Sequence, residues 1–489
     1  MHSLMQKTGK TVAKSMAIVL PMLVASYAPD SLAIPAFARQ TGQNCVACHA
    51  GGQFPELTPY GRLFKLTGYT IGERTIPISA MAVVTSTKVR NRTEPNPDPA
   101  TSVKADFPNQ NGTPIFNTAS VFLAGKITDN IGGFAQWTFN AYDHLDGDNN
   151  WKNKVMSDNA DIRYADHFIN NDRDLIVGLS FNNNPSVQDV WNSAPAWGFD
   201  LVPGSNPAGF PAKPQLAGGL AQQVVGIGAY AYWNKMVYAE LSVYRTANNV
   251  WSFMSQGFEA GDGNLTRMAK NMPYARIALT KEWGAHNIMV GGMAMIPQIY
   301  NDNLVTTPGS PTTKYRDIGV DAQYQYLLAP HTVTAQMSYI NERIHYDPTV
   351  SGQSGPYDTA MGTTSQPLTN TTDRLNLFRA KASYVYRATY GGSLSYYNLN
   401  GSYNSASQVG IPGDLNAAGS TFSNSSNVTG KPNTVAWIPE VFWIPVQNVR
   451  VGMQYSMFTK YQGASKNYDG WGRNARDNDA LFLYIWGAY

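Results

Sequence analysis

Cys45, Cys48 and His49, in the stretch "QNCVACHAGG", are the residues of this chain whose types and spacing most plainly carry chemistry. They include the only two cysteines in 489 residues. A disulfide would close a very small loop and leave His49 without a role. A structural zinc site needs further Cys or His ligands at finger spacing, and none is found nearby. A thioredoxin-type dithiol needs a βαβ setting that the flanking sequence lacks. C-x-x-C-H is the attachment pattern of c-type haem. Two thiols add to the two vinyl groups, and the adjacent imidazole takes the proximal position on the iron. The spacing therefore predicts one covalently bound haem c on Cys45 and Cys48, with His49 as its proximal ligand.

The residues after the motif, "GGQFPELTPYGRLFKLTGYT", read as a compact haem segment over 34–75. Arg62 and Lys65 are candidates for charge-assisted contacts to the propionates. Between His49 and Thr75 there is no Met and no second His. The sixth iron position is then open or filled from elsewhere in the chain. About 40 residues are too few for a stable core of their own, so the segment is expected to dock on the remainder of the chain.

The N-terminus reads as a secretory leader over 1–33. Lys7, Lys10 and Lys14 precede a short apolar run, "MAIVLPMLVASYA", and "SLA" ending at Ala33 offers small residues for cleavage. Export places the cysteines in an oxidising compartment.

Charged residues make up 14% of the chain and aromatics 12%, while mean hydropathy is -0.29. Few charges, many aromatics and no net hydrophobicity suit strands with one apolar and one polar face. A formal charge of +3 gives no sign of a nucleic-acid partner. From residue 76 the apolar residues alternate. "MVYAELSVY" sets Val237, Ala239, Leu241 and Val243 against Tyr238, Glu240, Ser242 and Tyr244; "DIGVDAQYQYL" repeats the pattern from Asp317.

About sixteen such strands are predicted between 76 and 489. Tight turns at 128–132, 170–173, 233–235, 282–286, 329–331, 387–389 and 444–447 alternate with long loops such as 183–221, 344–372 and 403–431. This rhythm predicts an all-β, porin-like antiparallel transmembrane barrel over 76–489, in contact with outer-membrane lipid. An even strand count puts both termini on one side, expected to be periplasmic, with the long loops extracellular. Most Tyr and Trp are then expected in interfacial girdles.

The segment "FARQTGQNCVACHAGGQFPELTPYGRLFKLTGYT", 37–70, followed by a barrel, resembles the fused monohaem cytochrome–porins of bacterial outer membranes. That family includes the iron oxidases of the iron:rusticyanin reductase type. The resemblance implies oxidation of extracellular Fe(II), with a periplasmic copper protein or cytochrome c as electron acceptor. Only Cys45, Cys48 and His49 carry over residue by residue. The role agrees with physical need: a bilayer core is about 30 Å thick, and a haem beneath it would be far from an external donor. Alternatives are a porin whose cytochrome plug gates or senses, and a conduit for another donor, such as a sulfur compound or a conducting solid.

Met81 and His167 are the distal-ligand candidates. Met81 is near in sequence, and a thioether raises the potential; His167 lies in phase with Asp161 and Arg163, on the lumen face. Lumen-phase Arg379 and Lys381 are candidates for tuning the pore field or meeting propionates. Asp143, Asp146 and Asp148, beside His144 in "DHLDGDNN", are the densest loop carboxylates and the candidate entry point for Fe(II), a hard cation suited to oxygen ligands.

Overall fold

The computed structural model describes residues 35–52, 56–91, 112–145, 151–185, 187, 189–192, 210–256, 265–347, 371–403, 427, 429–469 and 472–489. The expected leader, 1–33, lies outside them, as do Asp146 and Asp148.

Period-two alternation along the chain produces strands whose faces are inverted relative to a soluble sheet. In β7 (Val237–Thr246), Tyr238, Glu240, Ser242 and Tyr244 are buried, while Leu241 is 71% exposed. In β11 (Thr312–Leu328), Asp317, Asp321, Gln323 and Gln325 are buried, while Ile318 and Val320 face outward. Polar side chains inward and aliphatic side chains outward are what a barrel wall in lipid requires.

The remaining strands are β1 (Ile78–Val89), β2 (Ile115–Lys126), β3 (Ile131–Leu145), β4 (Trp151–Ile169), β5 (Asp174–Asn182), β6 (Val224–Trp233), β8 (Met272–Trp283), β9 (His286–Met295) and the three-residue β10 (Gln298–Tyr300). They continue with β12 (His331–His345), β13 (Thr372–Tyr386), β14 (Tyr390–Gly401), β15 (Thr434–Val446), β16 (Val449–Lys460) and β17 (Ala480–Ala488). Sixteen long strands pair antiparallel in sequence order, and β10 adds a short pairing to β11. The barrel closes through β1 and β17, in register from Met81↔Ala488 to Val89↔Ala480. Tyr489 and Ala80 exchange both backbone bonds at 2.7 Å, sealing the last residue onto the first strand.

All sixteen predicted strands are present. β4 begins at Trp151 rather than near 159, extending well beyond its predicted start. Short turns and longer connections alternate as expected except between β3 and β4, where the extension of β4 leaves only residues 146–150 between the strands. Asn234 and Lys235, and again Arg387 and Ala388, hold positive φ near 50°, the geometry of the two-residue hairpin turn whose twist matches the strands. Among the described residues no helix is long and apolar enough to cross a membrane; the crossing is made by strands.

Two expectations need correction. Exposed Trp233, Trp283 and Tyr390 do ring the short-turn rim of the barrel, but Tyr230, Tyr238, Tyr244 and Tyr274 are buried in the lumen. Sequence phase decides this, since each sits among the inward-facing positions of its strand. The β5–β6 connection also does not stay outside. Its described parts, 183–185, 187, 189–192 and 210–223, turn into the barrel, burying Trp191, Leu216 and Leu220. Glu342 and Asp317 accept the backbone N–H groups of Gln215 and Leu216 at 2.7 and 2.6 Å. Gln323 and Gln336 donate to the Trp191 carbonyl.

Candidate functional site

The C-x-x-C-H segment lies inside the barrel, at its short-turn end. Three helices carry it: α1 (Pro35–Thr41), α2 (Cys45–Cys48) and α3 (Pro59–Leu66). Gln40 stitches α1 in place. Its amide donates to the carbonyls of Tyr69 and Ile71 at 2.7 and 2.9 Å and accepts from the Lys126 N–H at 2.8 Å. Arg39 donates to the carbonyls of Ile76 and Ile78.

The single turn of α2 sets Cys45 and Cys48 on neighbouring positions of one face. The His49 N–H bonds back to the Cys45 carbonyl at 2.8 Å. Gly51 and Gly52, both at positive φ, then turn the chain. A Cβ on Gly51 would stand 2.6 Å from Val385 Cγ2 on β13, so only glycine lets this turn meet the wall. Thr58 caps α3 by accepting from the Gly61 N–H at 3.1 Å, and its own N–H bonds the Cys48 carbonyl at 2.9 Å. Gly61 packs so closely that a Cβ there would lie 2.2 Å from that same oxygen. Helix α3 is thus pressed against the backbone of the cysteine turn.

Barrel residues grip this segment. Arg62 donates to Asn287, Gln323 and Gln325 at 2.9 to 3.2 Å, and to Leu57 O at 2.7 Å. Lys381 pairs with Glu56 at 3.0 Å. Tyr230 donates to Leu66 O at 2.7 Å. Tyr69 donates to Asp161 Oδ2 at 2.7 Å, and Arg163 donates to the same oxygen at 2.9 Å. Phe37 and Phe64 pack on Tyr69, the first ring stacked at 5.2 Å, the second edge-on at 5.7 Å.

Cys45, Cys48 and His49 face one cavity of about 1290 Å³, counting space open to solvent. Its wall is largely apolar, with Phe37, Phe64, Phe122 and Phe134. Met81 on β1 and Trp486 on β17 face the same space, and the indole N–H of Trp486 reaches Met81 Sδ at 3.3 Å. Cys45 and Cys48 are not joined by a disulfide. Burial, helped by Cys45, pushes the Cys48 thiol up to about 11. Burial also holds the His49 imidazole down at about 4, against a smaller opposing pull from Glu56, so the ring is neutral near pH 7. A neutral imidazole is the form that ligates metal. Burial lowers Lys65 to about 8, with Arg163 adding to the effect.

Among the described candidates, Met81 and Lys65 line one cavity with the cysteine motif, while His167, Arg62, Arg379 and Lys381 do not. His167 keeps its expected phase but sits at the rim, its Nε2 held by Asp174 at 2.6 Å. Arg62 is turned away from the cavity, since barrel amides and Leu57 O take its donors. Asp143 falls near the long-loop end of β3. Among the described residues no group of three His, Cys, Asp or Glu side chains is placed to hold a metal ion. Trp486, Gln136, Asn159 and Asn192 also line the cavity and were not anticipated. Alternation could have found Trp486, which shares the inward face of β17 with Phe482 and Tyr484.

Beyond the cavity, described residues of the β5–β6 connection pack against the lumen face of the strands. Arg276 pairs with Asp321 at 2.6 Å and lies 5.2 Å from the Trp191 ring. Trp191 meets Tyr238 edge-on at 5.2 Å.

No family model and no curated protein sequence matches the chain. Solved structures similar to it include outer-membrane proteins, a porin among them. OmpT of Vibrio cholerae, folded in vitro, shares 9% identity over 84% of this chain and 96% of its own, with a TM-score of 0.42. The anion-selective porin from Comamonas acidovorans shares 9% over 84% and 98%, also at 0.42. OmpF of Salmonella typhi, in complex with daunomycin, shares 12% over 84% and 97%, at 0.41. Likenesses at this level carry no further argument. The class, a closed porin-like β-barrel holding an N-terminal insert, rests on the strand pairing itself.

Proposed function

We propose that this chain is an outer-membrane c-type cytochrome of the fused cytochrome–porin kind. It oxidises extracellular Fe(II) one electron at a time and hands the electrons to a periplasmic copper protein or cytochrome c. The observation that carries the reading is the shared cavity: Cys45, Cys48, His49 and Met81 face one apolar space inside a lipid-facing barrel.

The residues present fit a haem c. Cys45 and Cys48 would carry the thioether bonds, His49 the proximal position and Met81 the distal one. When bound, the haem supplies a one-electron iron couple, and a thioether ligand favours a high potential. The chain's own part is to bind, orient and dry the site. Gly61 and Thr58 lock α3 onto the cysteine turn, and the aromatic wall excludes water. Arg62, Glu56 and Tyr69 tie the segment to the inside of the barrel rather than leaving it beneath. In this reading the short turns and both chain ends are periplasmic, and the long loops are extracellular.

The competing reading is a porin gated by its N-terminal plug. The packing of Trp191 and Leu216 in the lumen speaks against an open pore. The test uses the purified full-length protein. Haem staining on a denaturing gel reports covalent attachment, and the haem α-band is then followed on anaerobic addition of Fe(II). Attachment with reduction supports the proposal. Attachment without reduction at the host's working pH removes Fe(II) as donor, and sulfide or an electrode then tests the other donors. Absence of a stained band removes the cytochrome reading.

A further inference from the structure

The cavity is apolar over most of its wall. Away from the cysteine turn its polar lining is Lys65 on α3, Gln136 on β3, Asn159 on β4, and Asp189 and Asn192 from the β5–β6 insert. Asn159 is 3% exposed, and its Oδ1 has no hydrogen-bond partner. Asn192 Nδ2 is likewise buried and unpaired. Buried amide atoms left unpaired cost about 1–3 kcal/mol each, so a pair of them on one cavity calls for a ligand. The Lys65 ammonium has three donors and reaches two carbonyls, those of Val187 and Asp189. Its third N–H suits an anion. Asp189 does not oppose this, because Arg276 lies 3.5 Å from its carboxylate and the backbone N–H of Trp191 donates to it at 3.0 Å.

The cysteine turn sits at the short-turn rim, where Gly52 lies against Ala388. Asn159 lies deeper along β4 than Asp161 and Arg163, and the insert enters from the long-loop side. Haem has the same asymmetry. Its two vinyl groups and its two propionates occupy opposite edges of the macrocycle. Thioether bonds at α2 fix one edge near the rim, and the carboxylate edge must then point inward.

We propose that Lys65, Asn192, Asn159 and Gln136 form a carboxylate subsite that receives the haem propionates. Asn192 and Lys65 donate directly, and the amide oxygen of Asn159 accepts from a protonated propionic acid or a bridging water. The polar edge of the haem thereby faces the outer side of the barrel. A loop insert, not the haem segment alone, completes the site. This inference rests on the chain being a haem c protein, as proposed for its function.

The test uses full-length protein whose covalent haem has been verified by staining. Asn192→Leu and Lys65→Met are expected to shift the propionate bending bands in resonance Raman spectra. Lys65→Met is also expected to lower the midpoint potential, because it removes a positive charge that favours the electron-richer state. Lys314→Met, an exposed cation at the long-loop end of β11 outside the cavity, serves as control and should leave the propionate bands in place. Unchanged bands in both Asn192→Leu and Lys65→Met, with haem still attached, overturn the subsite. So does an equal shift in the control. Absence of haem in the wild-type protein is a different failure, that of the cytochrome reading itself.

Discussion

The indole N–H of Trp486 points at the thioether sulfur of Met81 across the seam where the barrel closes, at 3.3 Å. Met81 belongs to the first strand and Trp486 to the last, and β1 pairs with β17 in register through this region. If Met81 is the distal ligand, closing the barrel is what presents it. Met81→Leu should then abolish the thioether-bound low-spin spectrum and lower the midpoint potential, as read by absorption and redox titration. Trp486→Phe should keep the ligand and move the potential less. Unaltered ferric and ferrous spectra in Met81→Leu would remove Met81 from the iron.

Arg62 anchors the segment rather than the cofactor. Arg62→Leu leaves the amide oxygens of Asn287, Gln323 and Gln325 without their shared donor. Losing charged hydrogen bonds of this kind costs about 1.5–3 kcal/mol each in gross terms. The expected outcome is a segment open to limited proteolysis on a barrel that still folds, seen as retained heat-modifiable migration on gels. Protease resistance equal to the wild type would contradict the anchoring role.

Gly61→Ala separates two physical effects of opposite sign. Alanine is the better helix former by about 1 kcal/mol. Here its Cβ would meet the Cys48 carbonyl oxygen at 2.2 Å, and overpacking of this kind costs about 1–3 kcal/mol. The variant should therefore be less thermally stable in the N-terminal segment and attach less haem. A gain in stability would show that α3 can move away from the cysteine turn.

The packing of Trp191 and Leu216 in the lumen makes a prediction about transport. In planar bilayers the intact protein should conduct ions far below the level of an open sixteen-stranded porin. Trp191→Ala combined with Leu216→Ala, which loosens the β5–β6 insert, should raise that conductance. High conductance in the wild-type protein would favour the gated-porin reading instead.

Much of this architecture was legible in the residues alone. Strand phase is a period-two property, so Leu241 outward and Glu240 inward follow from alternation once the medium outside is lipid. Turn chemistry at Asn234–Lys235 and the contrast of short and long connections supplied strand count and closure. The C-x-x-C-H spacing marked Cys45, Cys48 and His49 because one helical turn sets the two thiols together. His167 shows the limit of phase: it faces inward as expected, yet its height along β4 leaves it at the rim with Asp174.

Other features were decided by tertiary structure. A loop rich in Gly, Pro, Ser and Asn reads the same whether it meets water or a lumen. Whether the described parts of the β5–β6 connection enter the barrel depends on the volume and polar partners offered by strands far away in sequence, among them Asp317, Gln323 and Glu342. Arg62 and Lys65 look alike as neighbouring cations on α3, but they diverge because one meets amides of β9 and β11 and the other meets the cavity. Met81 and Trp486 are 405 residues apart, and only closure of the barrel sets them side by side. The sequence by itself determined the local periodicities and the covalent motif, because those depend on near neighbours along the chain. Which side chains share the cavity was set by the closed sheet, because that contact joins the two ends of the chain.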